Sequence, residues 1–499
     1  MRIVQGKPLD FSGYLKHLLE DEWHMKVAVL AKKLKQSSKT TIYRILQGTA
    51  RPETEAEFLE RMKACEELPL SEEQLKGLNE ALEVSRVGVE QYMKNCAIAS
   101  LVTEPQPDGG PVHIDFFLTD GGVMQCDMAS MADHLLEHGG TLHIWATGYI
   151  NPCMMVRLHQ DMIERYPGRV MVEHYLCCSG TSTIHAMASV MPVLYDKDYR
   201  MYIVSTGSIS VELASFYRTS SAVLEVEEER GNHYYSMFIT DRNKASLVEY
   251  ASVHTFQSRL SVFKSAQSLF RPVKIDQPLT GESDDYLHYT EWYCEMEKDA
   301  PAYIVRADVP IMFIHPDILV PACTDGFQSA GFCPEEKLTE EVQRYYGVQL
   351  ARWENFFAGN KLTHVIFSWK PMVHFARTGA TSDQFFAIRP FTPQERLAIL
   401  ENLRAQLDIR NRFFIYFLKP SEPPIRDEIS FYEGKGVYFC QGSTDYNLSR
   451  HSEALIVEEE FCSCYREYFL GQLLRKHVTS SEMTRQLMND LISIVRSQL

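Results

Sequence analysis

Residues 24–51 read HMKVAVLAKKLKQSSKTTIYRILQGTAR. The stretch holds Lys26, Lys32, Lys33, Lys35, Lys39, Arg44 and Arg51 but no Asp or Glu, in a chain with 50 basic and 66 acidic side chains. A purely basic island in an acidic protein calls for a polyanionic partner. Its punctuation is that of two short helices around a turn. Ala28–Leu34 forms the first, residues 35–37 the break, and Ser38 caps a second that runs to Gln47. Gly48 stops that helix as a C′ glycine, and Pro52 follows soon after. A helix packed on its neighbour buries one face and leaves the other outside. Ile42 and Ile45–Leu46 suit the buried face, and Lys39, Thr40, Tyr43 and Arg44 are left outward.

Outside this island the balance reverses. Residues 1–65 carry 12 Lys+Arg against 8 Asp+Glu, so the remainder carries 38 against 58. A small basic module is attached to a large acidic body, and the net charge of −16 argues against a chain coated with nucleic acid along its length. At 499 residues the chain exceeds one ordinary core. Its 12 cysteines form no even framework, no stretch of 18 apolar residues occurs, and the first apolar run is broken by Lys7, Asp10 and Lys16. These features predict a reduced, cytoplasmic protein without a membrane span.

The N-terminal region reads as helical throughout. Phe11–Leu19 and Glu55–Cys65 have helical apolar spacing, and Ser71-Glu72-Glu73-Gln74 is a capping box. Residues 104–111, with three prolines and two glycines, read as a linker. After it strands and helices alternate, which predicts a mixed or parallel sheet covered by helices. Strands are expected at Val112–Leu118, Thr141–Ala146, Val170–Leu176 and Arg200–Ser205, with a hairpin from Ala222–Val226 to Tyr234–Ile239 through Gly231-Asn232. A long helix is expected over Asn243–Leu269. The second half repeats the style, with strands at Tyr303–Arg306, Pro310–Ile314, Phe413–Leu418, Ile429–Tyr432 and Gly436–Phe439, and extended segments at His364–Ser368 and Asp383–Ile388. A closing helix should bury Met483, Leu487, Leu491, Ile494 and Val495. The expected organisation is multidomain: an all-α module at 1–68, a helical linker at 69–104, and an α/β body of two possibly related halves, 105–270 and 271–499.

The pattern Leu30-Ala31-Lys32-Lys33-Leu34, Thr41-Ile42-Tyr43-Arg44 and Gly48-Thr49-Ala50-Arg51-Pro52 resembles the lambda-repressor-like (XRE-type) helix-turn-helix family over about residues 10–68. The resemblance implies duplex DNA as partner, a reading helix at Ser38–Gln47 and a homodimer. It assigns DNA contacts to Lys26, Lys35, Ser38, Lys39, Thr40, Thr41, Tyr43, Arg44 and Arg51. Thr can touch a base edge or phosphate and Arg can grip guanine, while the lysines and Arg51 suit phosphates. Two departures stand out. Val27 falls near a position where the family often has Gln, and the turn at Lys35–Ser38 is one residue longer than usual.

Other constellations are sparser. His134 and His138 stand four apart on an expected helix with His143 nearby, but no H-E-x-x-H occurs and ordinary histidines are the better reading. Cys177-Cys178 and Cys462-Ser-Cys464 lack zinc spacing. Ser179, Gly180, Thr181 and Ser182 follow an expected strand and precede an expected helix, a place where backbone N–H groups can hold an effector's phosphate or carboxylate. Neither nucleotide-binding glycine motif is present. The alternating halves and the ending Glu458–Phe469 resemble a phospholipase-D-like fold, but the His-x-Lys-x4-Asp pattern is missing: His24-Met-Lys26 has Ala31 where Asp should stand. That resemblance implies a non-catalytic body.

The expectation from sequence is therefore a sequence-specific DNA-binding transcriptional regulator, not an enzyme, with no cofactor. Its body would sense a small molecule, dimerise, or both, with helices in 71–101, 243–269 and 479–499 as dimer elements. The alternatives are an enzyme whose active site lies in the body beside an accessory DNA-binding module, and a protein-interaction scaffold.

Overall fold

The computed structural model describes the chain except for residues 1–2, 5–6, 36–38, 69, 104–111, 179–180, 195, 197, 230, 242, 251, 267–268, 274–282, 331–334, 359–360, 382–387, 410–411, 420–426 and 442–452. Two compact units emerge, Met1–Ala97 and Ile98–Leu499.

In the first unit a short antiparallel pair, β1 (Ile3–Val4) and β2 (Lys7–Pro8), precedes the helices. These are α1 (Phe11–His17), α2 (Val27–Lys33), α3 (Thr40–Leu46), α4 (Pro52–Lys63) and α5 (Glu72–Val87), followed by α6 (Val89–Thr103), which runs past Ala97. Local chemistry sets several of their ends. Asp10 caps α1 by accepting from Gly13 N at 2.7 Å, Pro52 starts α4 with its φ already helical, and Ser71 with Gln74 closes the expected capping box on α5. Leu15, Leu30, Ile42, Ile45, Phe58 and Leu78 share one buried core. α5 packs on α1 and α4, so Glu72–Val87 belongs to this unit. Gly77 marks the closest approach: a Cβ there would lie 2.2 Å from the Tyr14 hydroxyl oxygen and 2.3 Å from its ring carbon. Gly77→Ala should therefore destabilise the unit by about 1–3 kcal/mol, despite alanine's better helix propensity. A rise in the thermal midpoint would contradict this packing.

In the second unit the first half carries β3 (His113–Phe117), β4 (Val123–Cys126), α7 (Met128–Leu135), β5 (Thr141–Thr147), α8 (Pro152–Arg157), β6 (Val170–Cys178), α9 (Thr181–Leu194) and β7 (Tyr199–Ser205). Then follow α10 (Val211–Arg218), β8 (Ser221–Glu228), β9 (Gly231–Asp241), β10 (Lys244–Glu249), α11 (Val253–Ala266) and β11 (Arg271–Pro272). They build a nine-stranded sheet in the order β11-β7-β6-β5-β8-β9-β10-β3-β4. The expected β8–β9 hairpin is present. The expected helix over Asn243–Leu269 is corrected: Lys244–Glu249 is a strand between β9 and β3, and the helix starts only at Val253. The buried pair Ala245 and Leu247 has strand spacing, and two neighbouring strands supply its backbone partners.

The second half carries α12 (Ser283–Glu297), β12 (Ala302–Arg306), α13 (Pro316–Ala330), α14 (Glu335–Phe357), β13 (Thr363–Phe367), α15 (Trp369–Thr378), α16 (Pro393–Gln406) and β14 (Phe413–Phe417). After these come β15 (Asp427–Tyr432), β16 (Gly436–Gln441), β17 (Glu453–Ile456), α17 (Glu459–Tyr468) and α18 (Ser481–Arg496). The six strands run β14-β13-β12-β15-β16-β17. Pro310–Ile314 is not a strand, because Ile311–Phe313 closes a 3₁₀ turn after Pro310. The extended segment expected at Asp383–Ile388 falls mostly outside the described residues. In α18 the buried set is Thr484, Met488, Leu491, Ile492 and Val495, whereas Met483 is half exposed, so the expected face is rotated. Packing on α15 and α16 turns it, and its apolar side lies in this core.

The two sheets share a topology. β5, β6 and β7 are parallel, as are β12, β13 and β14. Antiparallel strands then extend each sheet from its first parallel strand, β8-β9-β10 on β5 and β15-β16-β17 on β12. The halves are thus related in strand order and direction, although no repeat is visible in their sequences. Among the described residues no helix is long and apolar enough to cross a membrane.

Candidate functional site

The basic island lies on α2 and α3. Ile42 and Ile45 are fully buried, as helical spacing requires once α3 packs on α1 and α2. Lys26, Lys32, Lys35, Lys39, Thr40, Tyr43, Arg44 and Arg51 are exposed, and Thr41 is half buried. Ser38, the expected cap, lies outside the described residues, and Lys39 occupies the N-cap position without a side-chain bond. Gly48, at φ +66°, ends α3 in a Schellman motif: Gly48 N donates to Ile45 O and Thr49 N to Arg44 O, each at 2.9 Å. Lys33 is removed from the outer set because its Nζ donates to Glu67 O at 2.5 Å inside the unit.

Ser179 and Gly180 lie outside the described residues, and Thr181 and Ser182 are the first residues of α9. Among the described residues no group of three or more His, Cys, Asp or Glu could hold a metal ion. His134 packs edge-on to Phe116, and His143 stacks on Trp145 with centroids 3.8 Å apart.

A polar cluster that sequence reasoning missed occupies the edge of the second sheet where its parallel strands end. Arg306 closes β12, and the β12–β15 register brings it opposite Glu428. Its Nη1 donates to Glu428 Oε2, and its Nη2 lies 3.5 Å from Ser430 Oγ. Just beyond β12, Asp308 accepts from Thr381 Oγ1 at 3.1 Å. Just beyond β13, Ser368 N donates to Arg306 O at 3.3 Å. Ser368 is the N-cap residue of α15 but its hydroxyl does not cap, and that buried Oγ has no partner among the described residues. Arg306, Asp308, Ser368, Glu428 and Ser430 are all at most 6% exposed. Tyr293 and Tyr438 share a hydroxyl contact near Arg306, and burial holds both phenols protonated, well above their ordinary range.

Physically, this is a costly arrangement. One guanidinium and two carboxylates are withdrawn from water, which is tolerable only because each has hydrogen-bonding partners. A guanidinium can hold an anionic group, and the carboxylates can accept or return a proton. Open α/β sheets bind ligands outside the carboxyl ends of their strands. At the corresponding edge of the first sheet Thr147 ends β5 opposite Ser221 and donates to Thr219 O at 2.7 Å. The residues of the charged cluster are spread from 306 to 430, so no motif announces them. The one local signal is Arg306 directly after the apolar run Ala302–Val305.

No protein-family model matches the chain, and no curated protein matches it. Among solved structures it aligns with a phosphatidylserine synthase from Haemophilus influenzae Rd KW20, at 9% identity and a TM-score of 0.24, over 81% of this chain and 98% of that one. A likeness at that score sets neither fold nor reaction for this chain. The expectation of a transcriptional regulator that is not an enzyme finds no relative among these comparisons. That expectation is withdrawn, together with its exclusion of catalysis.

Proposed function

We propose that this chain is an enzyme whose reaction centre lies at the carboxyl edge of the second sheet, with an accessory N-terminal module that docks on duplex DNA. The observation that carries the reading is the near-complete burial of Arg306, Asp308, Ser368 and Glu428 where β12 and β13 end. In this reading Arg306 holds an anionic group of the substrate, Asp308 handles a proton, and Ser368 supplies a hydroxyl that the protein itself leaves unused. The centre draws on these residues instead of the missing His-x-Lys-x4-Asp pattern. The accessory module is read as lambda-repressor-like, on the exposed cations of α2 and α3 and the resemblance of their sequence.

Ser368→Ala is the discriminating variant. Its Oγ bonds to nothing described, so the fold should keep its stability. A panel of phosphorylated and carboxylated small molecules, scored by thermal shift and then by turnover, should contain a compound that wild type binds and converts. Ser368→Ala and Asp308→Asn should convert it at least tenfold more slowly. If no compound both binds and turns over, or if Ser368→Ala matches wild type, the centre is only structural. For the module, the full chain should bind duplex DNA with an affinity that falls steeply with salt. Lys39→Ala/Arg44→Ala should weaken that binding by roughly tenfold or more, and unchanged binding would remove α3 from the interface.

A further inference from the structure

Among the described residues of the first unit, two large apolar side chains are exposed: Val29 at 45% and Tyr43 at 49%. Both fall inside the acid-free stretch 24–51. Tyr43 lies on one helical stripe with Lys39 and Thr40, four and three residues before it, all exposed. Val29 stands three residues after Lys26 and three before Lys32, also exposed. The unit buries its other large apolar groups in its core, so leaving these two in water among cations calls for a partner that is both anionic and locally apolar.

Duplex DNA meets both demands in its major groove, where phosphates flank the C5-methyl groups of thymine. We propose that Tyr43 and Val29 are thymine-methyl contacts and give the docking module a preference for A·T-rich duplex. This rests on the DNA-docking reading above and adds what distinguishes one duplex from another. The cations supply affinity that is indifferent to base composition. The two apolar side chains supply the difference, because each methyl they cover leaves water.

The test removes the methyl alone. Binding of the full chain is measured by fluorescence anisotropy to an A·T-rich duplex, to the same duplex with every dT replaced by dU, and to a G·C-only duplex. Wild type should bind the dT form best and lose about fourfold per covered methyl on the dU form. Tyr43→Ala, a change at an exposed position, should keep the salt dependence but bind dT and dU forms with a smaller difference; Tyr43→Ala/Val29→Ala should bind them alike. Equal binding of dT and dU duplexes by wild type overturns the proposal, as does a preference that survives the double variant. In both cases the docking reading stands. Absence of binding to all three duplexes removes the docking reading and this proposal with it.

Discussion

Replacing Glu297 with alanine should lower the stability of the α/β body by about 3–5 kcal/mol, the usual cost of stranding a buried charge. Glu297 ends α12 and is fully buried. Arg352 of α14, also buried, grips it with two bonds, Nε to Oε2 at 2.8 Å and Nη2 to Oε1 at 2.6 Å. Lys361 donates to the Glu297 carbonyl at 2.5 Å with its ammonium 3.5 Å from the Phe356 ring centroid, and burial brings its pKa down to about 8. Without the carboxylate, Arg352 loses its bidentate partner in a buried site that also holds Lys361. Glu297→Leu/Arg352→Leu should recover much of the loss, since replacing both partners by apolar groups removes the stranded charge. Urea denaturation of the three variants decides it. A single-variant loss under about 1 kcal/mol would mean that the pair is solvated and not buried.

Acidification should cost the fold a few kcal/mol between pH 6.5 and 4 through two histidines. His174 is completely buried, with Nδ1 2.7 Å from Tyr199 Oη and Nε2 2.8 Å from Gly148 O. His364 stacks between Tyr303 and Phe414. Burial lowers each to about 4, against 6.5 for an ordinary histidine. The unfolded chain therefore binds more protons than the folded one in this window. Stability is fully present above pH 6.5 and is lost as pH falls toward 4. His174→Gln preserves a donor and an acceptor, and His364→Phe preserves the stack. Each should flatten the slope of unfolding free energy against pH, and by similar amounts, because both are lowered to about the same value. Variants with the wild-type slope would place the acid sensitivity elsewhere.

Much of the local structure was legible because it depends on neighbours in sequence. Ile42 and Ile45 on one stripe, Gly48 as the stop of α3, the capping box at Ser71–Gln74 and the β8–β9 hairpin all rest on spacing or turn chemistry within a few residues. The failures fall where distant partners decide. Lys244–Glu249 is a strand because β3 and β9 lie on either side of it, and no residue near it carries that information. The face of α18 turns from Met483 to Met488 because α15 and α16 lie where they do.

The candidate centre shows the same limit more sharply. Arg306 with Asp308, Ser368 and Glu428 come from the ends of three strands and acquire a common location only through the parallel pairing of β12 with β13 and the antiparallel pairing of β15. Sequence alone determined the basic island, the strand–helix alternation of the body and the absence of a long apolar helix among its segments. These are sums over local composition and period, which the chain carries before it folds. Only the tertiary structure decided that the two sheets share one strand order, and that the carboxyl edge of the second sheet gathers Arg306, Asp308 and Glu428. Sheet pairing joins residues across sequence distances over which no periodic signal persists, so the place where strands end together exists only in the folded chain.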